Sequence, residues 1–484
     1  MFIGIDIGTS EVKALLLNDQ HHVLATAGTA LTVSRPGPGY SEQAPQDWWS
    51  ATQSALAQLR ASFPKEYAAV RGMGLSGQMH GAVLLDARDR VLRPAILWND
   101  TRSVAECAEM MAEMPSLSDL AGSLVMPGLT APKLRWVSRH EPAIFSQVAK
   151  VLLPKDYVRL MLTGEYVTDM SDASGTLWLD VQKRAWSDAS LALTGLTQAH
   201  MPHLVEGSAP GGYLKAEVAH DLGLLPGIVV AGGAGDNAAS AIGMGATESG
   251  QGLLSLGTSG VLFVVTPSYQ PNAASATHAF CHALPQRWHQ MSVMLSAASA
   301  LQWVTELLGA ENPGVVAGNA AALSLTERAT APLFLPYLSG ERTPHNDAHV
   351  RGSFHGLSFD TDAARLGYAV IEGVTFGLQD GLAALHAAGS NVPRLSLVGG
   401  GARSAFWAQQ LASALNVEIV THGSFAVGGA LGAARLAWLA SGAPVSAVCQ
   451  VPEVDASYQP DASEQALLAA RYAQFRALYA PSGA

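Results

Sequence analysis

The stretch FIGIDIGTS, Phe2 to Ser10, followed by VKALLLND, Val12 to Asp19, reads as a short buried strand, a tight Gly-Thr-Ser turn and a second apolar strand folding back. Past the middle of the chain the pattern returns. GLLSLGTSG, Gly252 to Gly260, runs into VLFVVT, Val261 to Thr266. A glycine lets the backbone pass close to a ligand, and the residues after it offer amide and hydroxyl donors, so such a turn can hold phosphate oxygens. One hairpin of this kind also suits an ordinary turn. Two, one in each half, suggest a duplicated fold with a nucleotide clamped between the halves.

Composition sets the limits. At 484 residues the chain exceeds what one hydrophobic core usually supports, so two domains are expected. Hydrophobic residues at 49% and charged residues at 14% describe a packed globular protein rather than a disordered one. The formal net charge of −11, with no Lys/Arg cluster, disfavours nucleic acid as a partner. The three cysteines, Cys107, Cys281 and Cys449, are too scattered for a disulfide framework or a zinc site and suit a reducing cytoplasm. The first residues carry Asp6 and Glu11 and no basic segment, unlike a signal peptide, and no apolar run reaches membrane-spanning length. A soluble, cytoplasmic protein with no membrane partner is expected.

Along the chain, VLATAGTAL reads as a third strand, and a helix begins near Asp47, a candidate N-cap before WWSATQSALAQLR. VRGMGLSG reads as a strand ending at QMHG, with HGAVLLD and PAILWND as further strands. From about 101 to 227 the pattern is mainly helical, an elaboration on the first core. IVVAGGAGDNAASAIGMG, Ile228 to Gly245, reads as strand, glycine turn and small-residue helix, and the domain boundary is placed after it: 1–245 and 246–484. The second half repeats the logic with the strands AFCHAL and WHQMSV, helices from about Ser296 and Asp362, the strand and triple glycine of RLSLVGGGARS, and a surface helix from about Glu464 to Tyr479. Strands alternating with helices give an α/β fold class.

The common phosphate and hydrolase motifs are missing. There is no G-x-x-x-x-G-K-[ST], no G-x-G-x-x-G following a predicted strand, no G-x-S-x-G and no H-E-x-x-H. The motifs that are present are SGQMHG, LWNDTR, MPGLTAPKLRWVSRH, LLPKDYVRLMLTGE, GAGDNAA, LPYLSGERTPH, GLSFDTDAARLGYAVIEGVTF and VGGGARS, besides the two hairpins. In this order, over nearly the whole chain, they resemble the FGGY-type carbohydrate kinases, and among these the bacterial xylulose kinases. The most specific stretches are Thr130 and Lys133 through Trp136 to His140, and Gly356 through Ala363 and Ala369 to Glu372.

The resemblance implies two duplicated actin/hexokinase-like (ribonuclease H-like) domains with a nucleotide cleft between them, the sugar mainly on the first and the adenine toward the second. It implies ATP and Mg²⁺ as cofactors, a small sugar as partner, and a homodimer as the assembly the family suggests. The expected reaction is phosphorylation of D-xylulose to D-xylulose 5-phosphate. Rival readings are a kinase for another ketopentose or polyol (ribulose, L-xylulose, erythritol, glycerol) and a non-enzymatic actin-like ATP-binding module, since fold does not fix function. By residue, Asp6 orients the metal, or else caps a turn. Gly8, Thr9, Ser10 and Lys13 from one half, and Gly257, Thr258 and Ser259 from the other, contact phosphate. Gly400, Gly401 and Ala402 border the adenosine, or else serve helix packing. Asp236 is the general base, or else the N-cap of the helix it opens. Met79, His80 and Asn237 border the sugar, and Asp100 and Arg102 either contact it or pair with each other. GGAGDN departs from the family's glycine run at Ala234, which is tolerated if its φ is negative. Lys155, Asp156 and Glu341 to Pro344 match the family with no role derivable from sequence.

Overall fold

The computed structural model describes residues 1–423 and 428–481. In it the two hairpins found in the sequence nucleate two sheets of the same design. In the first sheet, Phe2–Ile7 pairs antiparallel with Glu11–Leu17, which pairs antiparallel with Val23–Ala30; on its other side Phe2–Ile7 runs parallel to Gly72–Gly77. Val229–Ala231 and Ala234–Gly235 then lie parallel to Gly72–Gly77, and Pro210–Tyr213 closes that edge. The second sheet repeats this order. Gln251–Leu256 pairs antiparallel with Gly260–Thr266, which pairs with Trp288–Met294, while the parallel neighbours are Arg394–Val398 and then Glu418–His422. His278–Cys281 and Val454–Tyr458 close the edges. In each half the first hairpin strand stands where an antiparallel meander meets parallel strands. The carboxyl ends of the parallel strands are where open α/β sheets bind ligands.

Burial follows the sequence pattern. One face of the first sheet is covered by the Pro45–Ser62 helix, whose Trp48, Ala51, Ala55, Leu56 and Leu59 are buried at helical spacing against Ile5, Val12 and Leu75. The helix is capped three residues earlier than expected. Ala44 is its N-cap, Pro45 fills the first helical position and Asp47 sits in the first turn, where a negative charge favours the helix dipole. The second sheet packs Leu254, Leu256, Leu262 and Val264 against Val370, Val374 and Leu378 of the Ala363–Ala387 helix and Trp407 of the Ala405–Leu415 helix.

Two expectations need correction. The segment after residue 101, expected to be mainly helical, adds short strand pairs to its helices, Val167–Asp169 with His203–Val205 and Leu179–Asp180 with Ala185–Trp186. HGAVLLD and PAILWND shrink to Val83–Leu85 and Ala95–Ile96. The last helix, Ala462–Leu478, buries Leu468, Arg471 and Phe475, and Arg471 grips Glu372 with Nε to Oε1 at 2.6 Å and Nη2 to Oε2 at 2.7 Å. A charged residue on a surface-like pattern concealed that anchor.

The two halves are joined at backbone contact. The Gly428–Ala440 helix, far along the chain, lies on the first sheet and on the Asp236–Gly243 helix. A Cβ on Gly4 would meet the Ala430 carbonyl oxygen at 1.8 Å, one on Gly74 the Ala433 oxygen at 1.9 Å, and one on Gly432 the Ala239 oxygen at 1.7 Å. Helix and sheet therefore approach as closely as backbones allow. Gly74→Ala should separate them, costing about 3 kcal/mol as overpacking does; a urea unfolding midpoint equal to that of the unaltered protein would contradict this packing.

Candidate active site

The first turn is held by a buried amide network. Gly8 N–H donates to the Glu11 carbonyl at 3.0 Å, and Gln78, the first residue after the Gly72–Gly77 strand, donates from Nε2 to the Gly8 carbonyl at 3.3 Å and accepts from Thr9 Oγ1 at 3.1 Å. Gln43 donates to the Thr9 carbonyl at 2.8 Å and accepts from Gln78 and from Trp48. Trp98 Nε1 donates to Thr9 Oγ1 at 3.0 Å. The Thr9 hydroxyl thus already serves two protein partners, whereas Ser10 is exposed. Trp98, a large ring left 44% exposed beside this turn, was not singled out from LWNDTR; an exposed aromatic shows only once the turn it touches is located. Lys13 faces Asp6 across the strand pair and bonds Glu11 at 3.1 Å.

The second turn is braced from behind by a helix start. Ala298 N–H donates to the Gly257 carbonyl at 2.8 Å, Ala297 N–H to that of Thr258 at 3.0 Å, and Ser299 Oγ to that of Thr258 at 2.7 Å, leaving the Thr258 side chain exposed. The triple glycine divides its work. Gly399 has φ +94°, a Cβ on it would meet the Leu256 carbonyl, and one on Gly401 would strike the Leu256 side chain at 2.4 Å, so packing against the first hairpin strand explains both. Gly400 faces open space. From here a cavity of about 750 Å³ runs to Asn237 and Ser240, lined by Val398, Ala402, Arg403 and Tyr458.

Asp236 is the first residue of the Asp236–Gly243 helix, with Gly235 as N-cap, so its carboxylate is not the cap. Oδ1 accepts from Asn237 N–H at 2.7 Å and from Asn237 Nδ2 at 2.8 Å; no hydrogen bond reaches Oδ2 among the described residues. Burial, and then the charge of Asp6, push the Asp236 pKa up to about 6. Asp6 itself, at a strand end, accepts from Ser76 Oγ at 2.9 Å and is raised by burial. Asn237, expected at the sugar, spends its amide N–H groups on orienting Asp236. Ala234 avoids the left-handed region; Gly233, at φ +78°, takes it instead.

His80 sits at φ +73°, a strained conformation for a non-glycine residue. Its surroundings impose it. Lys133 Nζ donates to the His80 carbonyl at 3.0 Å and Thr130 Oγ1 does so at 3.1 Å, both residues fully buried. The ring Nδ1 lies 2.9 Å from the Gly175 carbonyl, which fixes Nδ1 as the donor, and burial drives its pKa down to about 3, so the imidazole is neutral. Thr130 and Lys133, family positions in the sequence, therefore hold a backbone rather than a ligand. Met79 packs between Gly175 and Gly235, 7% exposed, within an apolar cluster that includes Phe263 and Phe280. Asp100 and Arg102 pair with each other, Arg102 Nε to Oδ1 at 2.9 Å and Nη2 to Oδ2 at 2.7 Å. Ser41 N–H and Arg102 N–H fill the remaining positions on the carboxylate, and Arg102 also bonds Glu42 and lies 3.7 Å over the Tyr40 ring. The pairing reading is the one the geometry carries. Glu341 accepts from Leu295 N–H at 3.0 Å and Thr343 bonds Val293, so that loop ties off the end of the Trp288–Met294 strand.

Known proteins similar to this chain identify its family. The N-terminal domain of the FGGY family of carbohydrate kinases matches residues 1–243, and its C-terminal domain matches 252–441. The chain is 51% identical to the xylulose kinase of Escherichia coli K12 over 482 residues, covering 99% of this chain and 98% of the relative. It is 38% identical to the xylulose kinase of Bacillus subtilis, covering 91% and 88%. A crystal structure described as a xyloylose kinase from Brucella ovis superposes with a TM-score of 0.95 at 51% identity, covering 99% and 98% of the two chains. By its matched domains and its relatives, and with the two-sheet cleft those domains build, the chain belongs to the FGGY family of carbohydrate kinases.

Proposed function

We propose that the protein transfers the γ-phosphate of ATP to D-xylulose, giving D-xylulose 5-phosphate and ADP. What supports this reading is that Asp6 lies near enough to Asp236 to raise its pKa, with His80 three residues past the Gly72–Gly77 strand that runs between their strands, in a chain half identical to xylulose kinases along its length. The adenine would lie in the cavity beside Val398 and Ala402, with its phosphates toward the Gly257–Ser259 and Gly8–Ser10 turns. The sugar would lie against His80 and Trp98.

Asp236 serves as general base. Asn237 fixes Oδ1, so Oδ2 is the oxygen that receives the hydroxyl proton. In the loose transition state of phosphoryl transfer the proton leaves late, so the carboxylate first orients the hydroxyl for in-line attack. A pKa near 6 improves the match to an alcohol while leaving the group ionised at neutral pH. Asp6 lies near enough to Asp236 to disfavour its charge, an arrangement that suits a divalent cation, and Asp6, steadied by Ser76, would hold Mg²⁺ on the phosphate side. When bound, Mg²⁺ would neutralise charge on the β- and γ-phosphates.

The test of the substrate is a coupled ADP-release assay with D-xylulose, D-ribulose, L-xylulose, erythritol and glycerol. D-xylulose should give the highest kcat/KM, and a preference for another acceptor would overturn the substrate assignment. Asp236→Asn should lower kcat about a thousandfold, within the range of general-base contributions, with nucleotide affinity unchanged; substantial turnover removes Asp236 from the mechanism. Because the base must be ionised and its pKa is raised, log kcat/KM should fall with unit slope as pH drops below about 6. A profile flat down to pH 4 would contradict the raised value. His80→Ala should raise KM for the ketose about tenfold, the loss of a single hydrogen-bonded contact, and leave KM for ATP unchanged. An equal rise in both constants would mark His80 as a packing residue.

A further inference from the structure

Behind the cleft lies a charge cluster that the reaction above does not use. Lys155 Nζ is 2.6 Å from Asp156 Oδ1, 2.8 Å from Asp169 Oδ2 and 3.0 Å from Asp172 Oδ2, and Arg159 Nη2 is 3.6 Å from Asp156 Oδ1; all five side chains have no exposure. Two cations face three carboxyl groups, and burial pushes the Asp172 pKa well above the ordinary carboxyl range. The whole cluster is sealed from water.

Its connections lead to the active site. Arg159 donates from Nη1 to the Ala231 carbonyl and from Nη2 to the Gly232 carbonyl at 2.6 Å, gripping the strand end before the turn that carries Asp236. Asp169, held by Lys155, accepts from Ser171 Oγ at 2.5 Å, and the same Ser171 oxygen accepts from Gly235 N–H at 3.2 Å, one residue before Asp236. Four residues later the Gly175 carbonyl accepts from His80 Nδ1. Between them Ser174 Oγ accepts from Cys281 N–H at 3.0 Å, on the second sheet.

We propose that the segment Asp169–Gly175, fixed by Lys155, is the positioning frame of the reaction: through Ser171 it holds the turn bearing Asp236, and through the Gly175 carbonyl it holds His80, so that base and sugar contact keep one separation. This inference rests on the assignment of Asp236 as base. Ser171 is a positioning residue, acting through Gly235. A misplacement of a base by a fraction of an ångström costs rate without costing nucleotide binding.

Ser171→Ala removes the oxygen that Gly235 N–H meets and one hydrogen bond to Asp169, which keeps Lys155 and the N–H groups of residues 171 and 172. It should lower kcat for D-xylulose about tenfold, the worth of one hydrogen bond, with KM for ATP unchanged and the thermal midpoint only slightly lowered, because the buried Gly235 N–H loses its partner. Ser171→Thr, which keeps the hydroxyl, should restore most of the rate. In a double-mutant cycle, Ser171→Ala and His80→Ala should be non-additive in kcat/KM, because both bonds end on one segment. Unchanged kcat in Ser171→Ala, a parallel loss of thermal midpoint and ATP affinity, failure of Thr to rescue, or strict additivity would each overturn the frame. An inactive Asp236→Asn beside a fully active Ser171→Ala would sink this inference alone, whereas an active Asp236→Asn would sink the base assignment first.

Discussion

Direct backbone contact between the Asp236–Gly243 and Gly428–Ala440 helices sets where everything else in the cleft can be. Gly432 against the Ala239 carbonyl leaves no room for a side chain, so the two helices pack backbone to backbone. Through this contact, residues from the far end of the chain fix the helix that opens with Asp236, and the same Gly428–Ala440 helix rests on Gly4 and Gly74 of the first sheet. The strand ends carrying Asp6, Gln78 and Asp236 are thereby held in one layer. Arg435 adds to the lock by donating to the Ile242 and Gly243 carbonyls at 3.1 and 2.9 Å.

The polar residues of the site divide into those that face the cleft and those that hold the backbone facing it, and the second group is the larger. Lys133 is a case in point. It is buried, its pKa is driven well below the ordinary lysine value by burial, and its recorded hydrogen bond is to a carbonyl. Placing an amine there is costly unless a strained backbone needs it. Holding His80 at positive φ is such a need. The same economy explains Glu372 and Arg471, a buried bidentate pair that binds the C-terminal helix to the long helix behind the second sheet.

The duplicated hairpins, the run of strands along the chain and the place of Asp236 at a helix start were legible in the sequence because each is a local pattern: an apolar run, a glycine turn, a small-residue helix. Legibility ended where one element's role is set by another distant in the chain. GGG looked like a ligand motif as a whole, yet two of its glycines answer to Leu256, some 140 residues earlier. LWNDTR suggested Asp100 and Arg102, whereas the exposed side chain beside the phosphate turn is Trp98. Asn237 reads as a sugar contact from its place beside the base, and only the side-chain geometry shows its amide turned back on Asp236. Arg471 carried no local sign of burial, since an arginine on a helix with other charges reads as solvated.

The crossing of the Gly428–Ala440 helix onto the first sheet has a bearing on how the chain is made. During synthesis the first sheet can form its hairpin and pack the Pro45–Ser62 helix early, but its other face, with Gly4 and Gly74 bare, waits for a helix that ends at residue 440. A fragment ending near residue 245 would contain Asp236, the Gly8–Ser10 turn and His80, yet its glycine-lined face would stand open to other chains. Vectorial emergence from the ribosome therefore leaves this face of the first half uncovered until the helix ending at residue 440 is free.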